Sequence, residues 1–275
     1  MTSIEWTDKT WNPFVGCSKV SEGCRNCYAI NQAYRNNAMA TQMPNPGRMR
    51  YYEGLTHKTG SRVDWTGLVR FVPEALEIPL RWKKPRRIFV NSMSDLFHES
   101  IPYKQIDQTF SVISITPQHT YQILTKRPER MAAYFRSREG APLQNVFLGC
   151  TIENQKAADD RAQHLYKLHQ VGWRTFYSVE PLLEAVELNL RQQSVDWVIV
   201  GGESGSGARS CDINWIISII KQCQSSRVPV FVKQLGSHPI NLGCQLQLRD
   251  RKGGDMQEWP IELRIREFPE VSAKP

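Results

Sequence analysis

One pattern constrains this chain more than any other. Short runs of apolar, β-branched or aromatic residues end abruptly in small, polar or charged ones, and a helix-like stretch follows each. The runs are Arg87–Asp95, Tyr121–Arg127, Val146–Glu153, Thr175–Glu180, Trp197–Glu203 and Val228–Gln234. Near-continuous apolar runs suit strands buried on both faces, as in parallel sheets. The segments between them carry helical spacing and boundary signals. Asn154 is placed to cap a helix through Gln155–Val171, where Ala158, Ala162, Leu165 and Leu168 recur three or four residues apart, and Gly172 ends it. Asp212 precedes a second helix carrying Trp215, Ile216, Ile219, Ile220 and Cys223, while Pro102–Ile115 and Pro128–Arg138 fill two more gaps. A strand near Trp11–Val15 opens the series. Repeats spaced by roughly 20 to 35 residues imply right-handed crossovers, and so an α/β fold, either a doubly wound sheet or a barrel.

Two stretches break the repeat. Residues 41–72, rich in Pro, Gly, Arg and aromatics, read as a long insertion after the first helix, and loops of that length are usually functional or disordered. In the C-terminal extension, 241–275, Gln245–Arg249 and Ile261–Phe268 flank Lys252-Gly253-Gly254-Asp255, which predicts a hairpin. No domain-scale linker interrupts residues 1–275, so one domain is expected.

Composition narrows the function. No stretch approaches the roughly 18 apolar residues that a membrane span needs. The opening MTSIEWTDKTWNP has neither a basic nor an apolar leader region, so a cytoplasmic protein is expected. There clustered thiols serve as metal ligands or catalysts more often than as disulfides, and the odd count of seven cysteines agrees. A net charge of +8 points to an anionic partner, with DNA or RNA the first candidate. Basic residues cluster at Arg48, Arg50, Lys58, Arg62 and Arg70 and again over Lys83–Arg87, though such runs also occur as plain solvated faces.

The strongest local signal is Cys17-Ser-Lys-Val-Ser-Glu-Gly-Cys24-Arg-Asn-Cys27-Tyr28. Three thiols in a loop between a strand and a helix can converge on one metal centre, and thiolates select zinc or iron–sulfur clusters. A structural zinc site normally has four protein ligands. No second Cys-x-x-Cys exists here, and His57, Cys211 and Cys244 are remote candidates for a fourth place. Three cysteines on a cubane leave one iron open for a ligand; unligated thiols are the bland alternative.

In parallel α/β folds reacting groups gather at the carboxyl ends of strands. There the runs end in Asp95, Lys126 with Arg127, Glu153, Glu180, Glu203, and Lys233 with Gln234. These can grip a zwitterion or a phosphate, or serve as helix caps and loop ion pairs. Gly201-Gly202-Glu203-Ser204-Gly205 is either a close-approach loop for a ligand or a tight turn. Cys150 either faces the mouth as a hydrogen-atom donor or is a small buried hydrophobe. Cys223 reads as core; Trp6 and Trp11 read as core or as a lip around the cysteine loop.

Taken together, Ile4–Asp8, Thr10-Trp-Asn-Pro13, Gly16-Cys17, Gly23-Cys24-x-x-Cys27-Tyr28-Ala29, Asn91–Phe97, Leu124–Arg127, Glu180–Leu183, Gly201–Gly205 and Arg264–Pro269 resemble a phage and bacterial mobile-element family of unknown function related to the radical S-adenosylmethionine (SAM) enzymes. The Asp95 and Thr-Lys-Arg motifs are also distantly similar to spore photoproduct lyase, which repairs DNA. The resemblance implies a partial (β/α)6-type barrel carrying a [4Fe–4S] cluster on Cys17, Cys24 and Cys27. SAM would bind the fourth iron and be cleaved to a 5′-deoxyadenosyl radical that takes hydrogen from a substrate, with nucleic acid or a nucleotide as the class. Ser92, Ser94 and Asp95 would support the methionyl group, and Glu153, Gly201, Gly202 and Glu203 the rest of the cofactor. Asp95, Lys126, Glu180 and Cys150 are the catalytic candidates. An electron-donor protein is implied, and a protein encoded nearby is a further candidate partner. The six-residue gap between Cys17 and Cys24 is longer than the commonest radical SAM spacing. Two rival readings stand beside this one: a non-catalytic nucleic-acid binder with a structural zinc or iron–sulfur site, and a metal-dependent nuclease using the strand-end carboxylates.

Overall fold

The computed structural model describes residues 4–270 as a mixed α/β protein in two compact units, Met1–Val146 and Phe147–Pro275. The first contains β1 (Lys9–Trp11), β2 (Phe14–Val15), α1 (Tyr28–Ala40), β3 (Thr56–Thr59), β4 (Arg62–Trp65), β5 (Arg70–Phe71), α2 (Pro73–Leu76), β6 (Arg87–Val90), α3 (Tyr103–Ser114), β7 (Thr120–Thr125) and α4 (Pro128–Arg136). Strands β1, β6 and β7 pair in parallel in that order, with Trp11 opposite Val90 and Val90 opposite Ile123. Their apolar side chains are buried, as continuous runs require. Trp6 and Trp11 belong to this core, and the Trp11 indole donates to the Ala75 carbonyl at 2.7 Å.

The second unit is built on β8 (Val146–Thr151), α5 (Gln155–Gln170), β9 (Arg174–Val179), β10 (Trp197–Gly201), β11 (Cys211–Asp212), α6 (Ile213–Ser226), β12 (Val230–Gln234), β13 (Pro239–Asn241) and β14 (Cys244–Gln245). Strands β8, β9, β10 and β12 pair in parallel in that order. Every β8 and β10 residue is buried. Both expected caps form: Asn154 accepts from the Ala157 amide, and Asp212 from the Asn214 amide. Cys223 lies on the buried face of α6.

Two expectations change. Residues 41–72 are not a structureless loop. They form a 3-10 segment (Gly47–Tyr52), the β3–β4 hairpin, and β5, which pairs antiparallel with β2. Leu55, Trp65 and Val72 pack with Val15, Ala29, Ile30, Ala33 and Met93, so this segment buries the first helix. At the other end the hairpin falls earlier than expected, between β13 and β14. Ile265 and Glu267 instead bond to the outer edge of β12: the Val232 amide donates to the Ile265 carbonyl and the Glu267 amide to the Val230 carbonyl. Burial of Trp259 and Leu263 outweighs local pairing across Gly253-Gly254.

Candidate functional site

The three cysteines occupy the turn from β2 into α1. Gly16, just before Cys17, has φ +93°, and a Cβ there would lie 2.2 Å from the Leu68 carbonyl oxygen. Only glycine allows that approach. The Gly16 amide donates to the Met93 carbonyl at 3.0 Å, and the Asn12 side-chain oxygen accepts from the Met93 amide and the Ser92 hydroxyl, each at 3.1 Å. The cysteine loop is thus laced to the segment that follows β6. A 3-10 turn over Glu22–Cys24 carries the chain back, and Cys27 stands at the N-cap of α1.

The thiols lie within electrostatic reach of one another. Burial pushes Cys17 up to about 12; Asp95 adds to the rise, Arg127 opposes it, and Cys27 and Cys24 contribute further. Cys27 is also raised, first by burial, while Lys126 and the backbone N–H groups of Ala29 and Ile30 pull it down. Such thiols stay protonated at neutral pH unless a cation replaces their protons, and coordination to a metal does so outright. Among the described residues no group of three or more His, Cys, Asp or Glu side chains is gathered as for one bound ion. An iron–sulfur cube spreads its cysteine ligands more widely than a single ion does. Three neighbouring sulfurs, one of them receiving backbone N–H bonds at a helix start, fit that donor set. The Ser94 hydroxyl, in the laced segment, is buried without a hydrogen-bond partner, as is the Asn91 side-chain amide nitrogen.

Asp95 is engaged by its own chain. One oxygen accepts from the Phe97 amide (2.9 Å) and the Thr125 hydroxyl (2.7 Å), the other from the Lys126 amide (3.2 Å) and Arg127 Nη1 (3.1 Å). Arg127 also donates to Glu99 at 2.6 Å and to the Ser18 hydroxyl at 2.7 Å, so one guanidinium joins the cysteine loop, the β6 loop and the β7 end. Burial alone would raise Glu99, but its own backbone amide and Arg127 bring it down to about 2. Buried His98 completes the group. Its Nδ1 accepts from the Ser100 amide, which leaves Nε2–H to donate to the Ser18 hydroxyl at 2.9 Å. Sequence reasoning passed over Ser18, His98 and Glu99; the polar triplet His98-Glu99-Ser100, just beyond the apolar β6 run, was the available signal.

The remaining candidates lie in the second unit. Glu153 is buried and held by both Arg161 nitrogens, at 2.7 and 3.2 Å. Glu203 is held in the same way by Arg209, at 2.9 and 2.6 Å. Cys150 is fully buried, with burial pushing its thiol up to about 12, Arg161 opposing the rise and Glu153 adding to it. Cys150 is the penultimate residue of β8, and its burial is what the small-hydrophobe alternative expects. Glu180 meets Lys233 at 3.0 Å and accepts from the Ser178 hydroxyl at 3.2 Å. A Cβ on Gly201 would stand 3.2 Å from a Glu180 oxygen, and one on Gly202 would stand 2.3 Å from the Leu235 carbonyl oxygen. Gly201 and Gly202 are therefore packed against protein, with the Gly202 amide donating to the Gln234 carbonyl, whereas Gly205, Ser206 and Gly207 are exposed and the Gly205 amide donates to the Ser237 hydroxyl.

A family model described as "Protein of unknown function (DUF5131)" matches residues 1–260. The chain belongs to this family. The match takes in the cysteine loop, the Arg127 hub and the paired carboxylates Glu153, Glu180 and Glu203. No curated protein and no solved structure matches the chain. No helix among the described residues is long and apolar enough to cross a membrane.

Proposed function

We propose that this member of the family is a radical SAM enzyme on a partial (β/α)6-type barrel, acting on nucleic acid or a nucleotide-like molecule with electrons from a donor protein. The observation that carries the reading is the thiol loop. Three cysteines stand within electrostatic reach of each other, burial disfavours the free thiolates of Cys17 and Cys27, and Cys27 sits where backbone N–H groups meet its sulfur. Cys17, Cys24 and Cys27 would hold the [4Fe–4S] cluster, which when bound supplies one electron to the sulfonium of SAM.

The chain's own residues bind and orient. Ser92 and Ser94 lie beside the thiol loop, and the unpartnered Ser94 hydroxyl is available to a polar ligand group. Asp95 acts through Arg127, holding the loop that carries Cys17. Lys126 adds positive charge near Cys27. Glu180, with Lys233 and Ser178, is the least enclosed strand-end carboxylate of the second unit and the better candidate there for a substrate contact. The nuclease reading is weaker, because the Glu153 and Glu203 carboxylates are already neutralised by arginine.

The test is anaerobic purification, reconstitution with iron and sulfide, then SAM and dithionite with an assay for 5′-deoxyadenosine. Wild type should form it and Cys24→Ala should not. Tightly held zinc with no iron, or equal product from both proteins, would overturn the proposal.

A further inference from the structure

The first helix offers a second surface beside the thiol loop. Tyr28, Asn31, Tyr34, Arg35, Ala38 and Met39 follow spacings of three and four, so they share one face of α1, and all six are exposed. The apolar members are open to solvent: Tyr28 is 52%, Tyr34 37% and Met39 50% exposed, and Met43, just past the helix, is 43% exposed. The opposite face, with Ala29, Ile30 and Ala33, is packed into the core formed with the 41–72 segment. The helix is thus anchored on one side, while on the other its side chains face solvent and the Tyr28 hydroxyl donates to the Ser92 carbonyl at 2.8 Å.

Charge selects the partner. Between Glu22 and Glu53 the sequence has no acidic residue, yet it holds Arg25, Arg35, Arg48 and Arg50. Arg50 is paired with Glu74, whereas Arg25, Arg35 and Arg48 are exposed. The same stretch is dense in neutral amides, among them Asn31, Gln42 and Asn45, all exposed. A face of exposed tyrosine rings, arginines and amides, from a stretch with no carboxylate of its own and with the neighbouring Glu74 paired to Arg50, matches what single-stranded nucleic acid requires. Rings stack on bases, guanidinium groups neutralise phosphates, and amides bond base edges. An acidic protein would meet the arginines equally well but would leave the rings and amides without their complement.

We infer that the exposed face of α1, from Tyr28 to Met43 with Arg35 and Arg48, is a docking surface for single-stranded nucleic acid beside the thiol loop. This rests on the nucleic-acid part of the proposed function and is independent of its radical chemistry.

The test measures anisotropy of a labelled single-stranded oligonucleotide, as DNA and as RNA, across a salt series. Three proteins are compared: wild type, Tyr34→Ala/Arg35→Gln/Arg48→Gln, and a charge-matched control, Lys167→Gln/Lys221→Gln, on exposed positions of α5 and α6. Wild type should bind, and the α1 variant should bind about tenfold or more weakly. Its slope of log affinity against log salt should fall by about 0.7 for each phosphate that is no longer neutralised. The control should stay within about twofold of wild type. No binding by wild type, or equal weakening in the control, would overturn the inference. Circular dichroism and iron content of the α1 variant distinguish a lost surface from a lost fold. 5′-Deoxyadenosine formation, measured without oligonucleotide, reports the radical chemistry separately: binding without SAM cleavage would refute that chemistry and leave the surface standing.

Discussion

The two units neutralise their strand-end carboxylates in different ways. In the second, Glu153 is matched by Arg161 and Glu203 by Arg209, each pair closed within a few residues of chain, and only Glu180 takes its cation, Lys233, from a later strand. In the first, Asp95 and Glu99 share Arg127 from a different loop, and the same guanidinium reaches Ser18 beside Cys17. A local pair fixes one turn. A shared arginine couples three segments distant in sequence, one of which carries the candidate cluster ligands. The comparison separates residues that hold the fold from those that also hold the site.

Breaking the shared hub should do the most damage. Arg127→Met leaves Asp95 buried without its cation and should lower stability by about 3–5 kcal/mol, read by urea unfolding. It should also cut the iron retained after reconstitution. Arg127→Lys, which keeps the charge but loses the fork, should recover part of the stability and less of the iron. Iron retention that simply tracks stability in both variants would remove the distinction between hub and pair.

A local pair should behave otherwise. Glu153→Gln keeps an acceptor for Arg161 but leaves the guanidinium unneutralised, and should cost about 2–3 kcal/mol in the same measurement. Iron content should stay at the wild-type level. A proportionate loss of iron would mean that the second unit also supports the thiol loop.

The smallest expected effect is on acid sensitivity. The Glu99 carboxyl is depressed from 4.5 to about 2, so its folded-state pKa lies below the unfolded value. Its contribution is complete above about pH 4.5 and disappears as pH falls through about 2. Glu99→Gln should therefore flatten the stability profile in that window by lowering the plateau above about pH 4.5 while leaving stability below about pH 2 unchanged, and the drop should be small because the side chain is largely exposed. An unchanged acid limb would place the pairing with Arg127 outside the native state in solution.

Much of the architecture was legible in the order of residues alone. Asn154, Asp212, Gly172 and the proline starts delimit helices that form within a residue or two of the expected bounds, because caps and breakers act locally. The 41–72 segment was not legible. Its order comes from Leu55, Trp65 and Val72 packing on α1, and sequence spacing does not report such distant contacts. The C-terminal hairpin failed for the same reason: residues 265–267 bond to β12 rather than to each other. At the site, the cysteine loop stood out because three reactive side chains lie close in sequence. The carboxylates stood out as a group, but their partners did not. Nothing in the sequence marks Arg161 and Arg209 as those partners, and only the fold shows Glu153 and Glu203 closed off by them.

The fit of Gly16 beneath the Leu68 carbonyl, with β2 completed by β5, has a consequence for biosynthesis. A ribosome delivers Cys17, Cys24 and Cys27 well before Leu55, Trp65 and Phe71 emerge. During that interval the nascent thiols lack their cover and are open to an assembly factor, or to an oxidant. Translation speed across these codons therefore sets how long the three thiols stay uncovered.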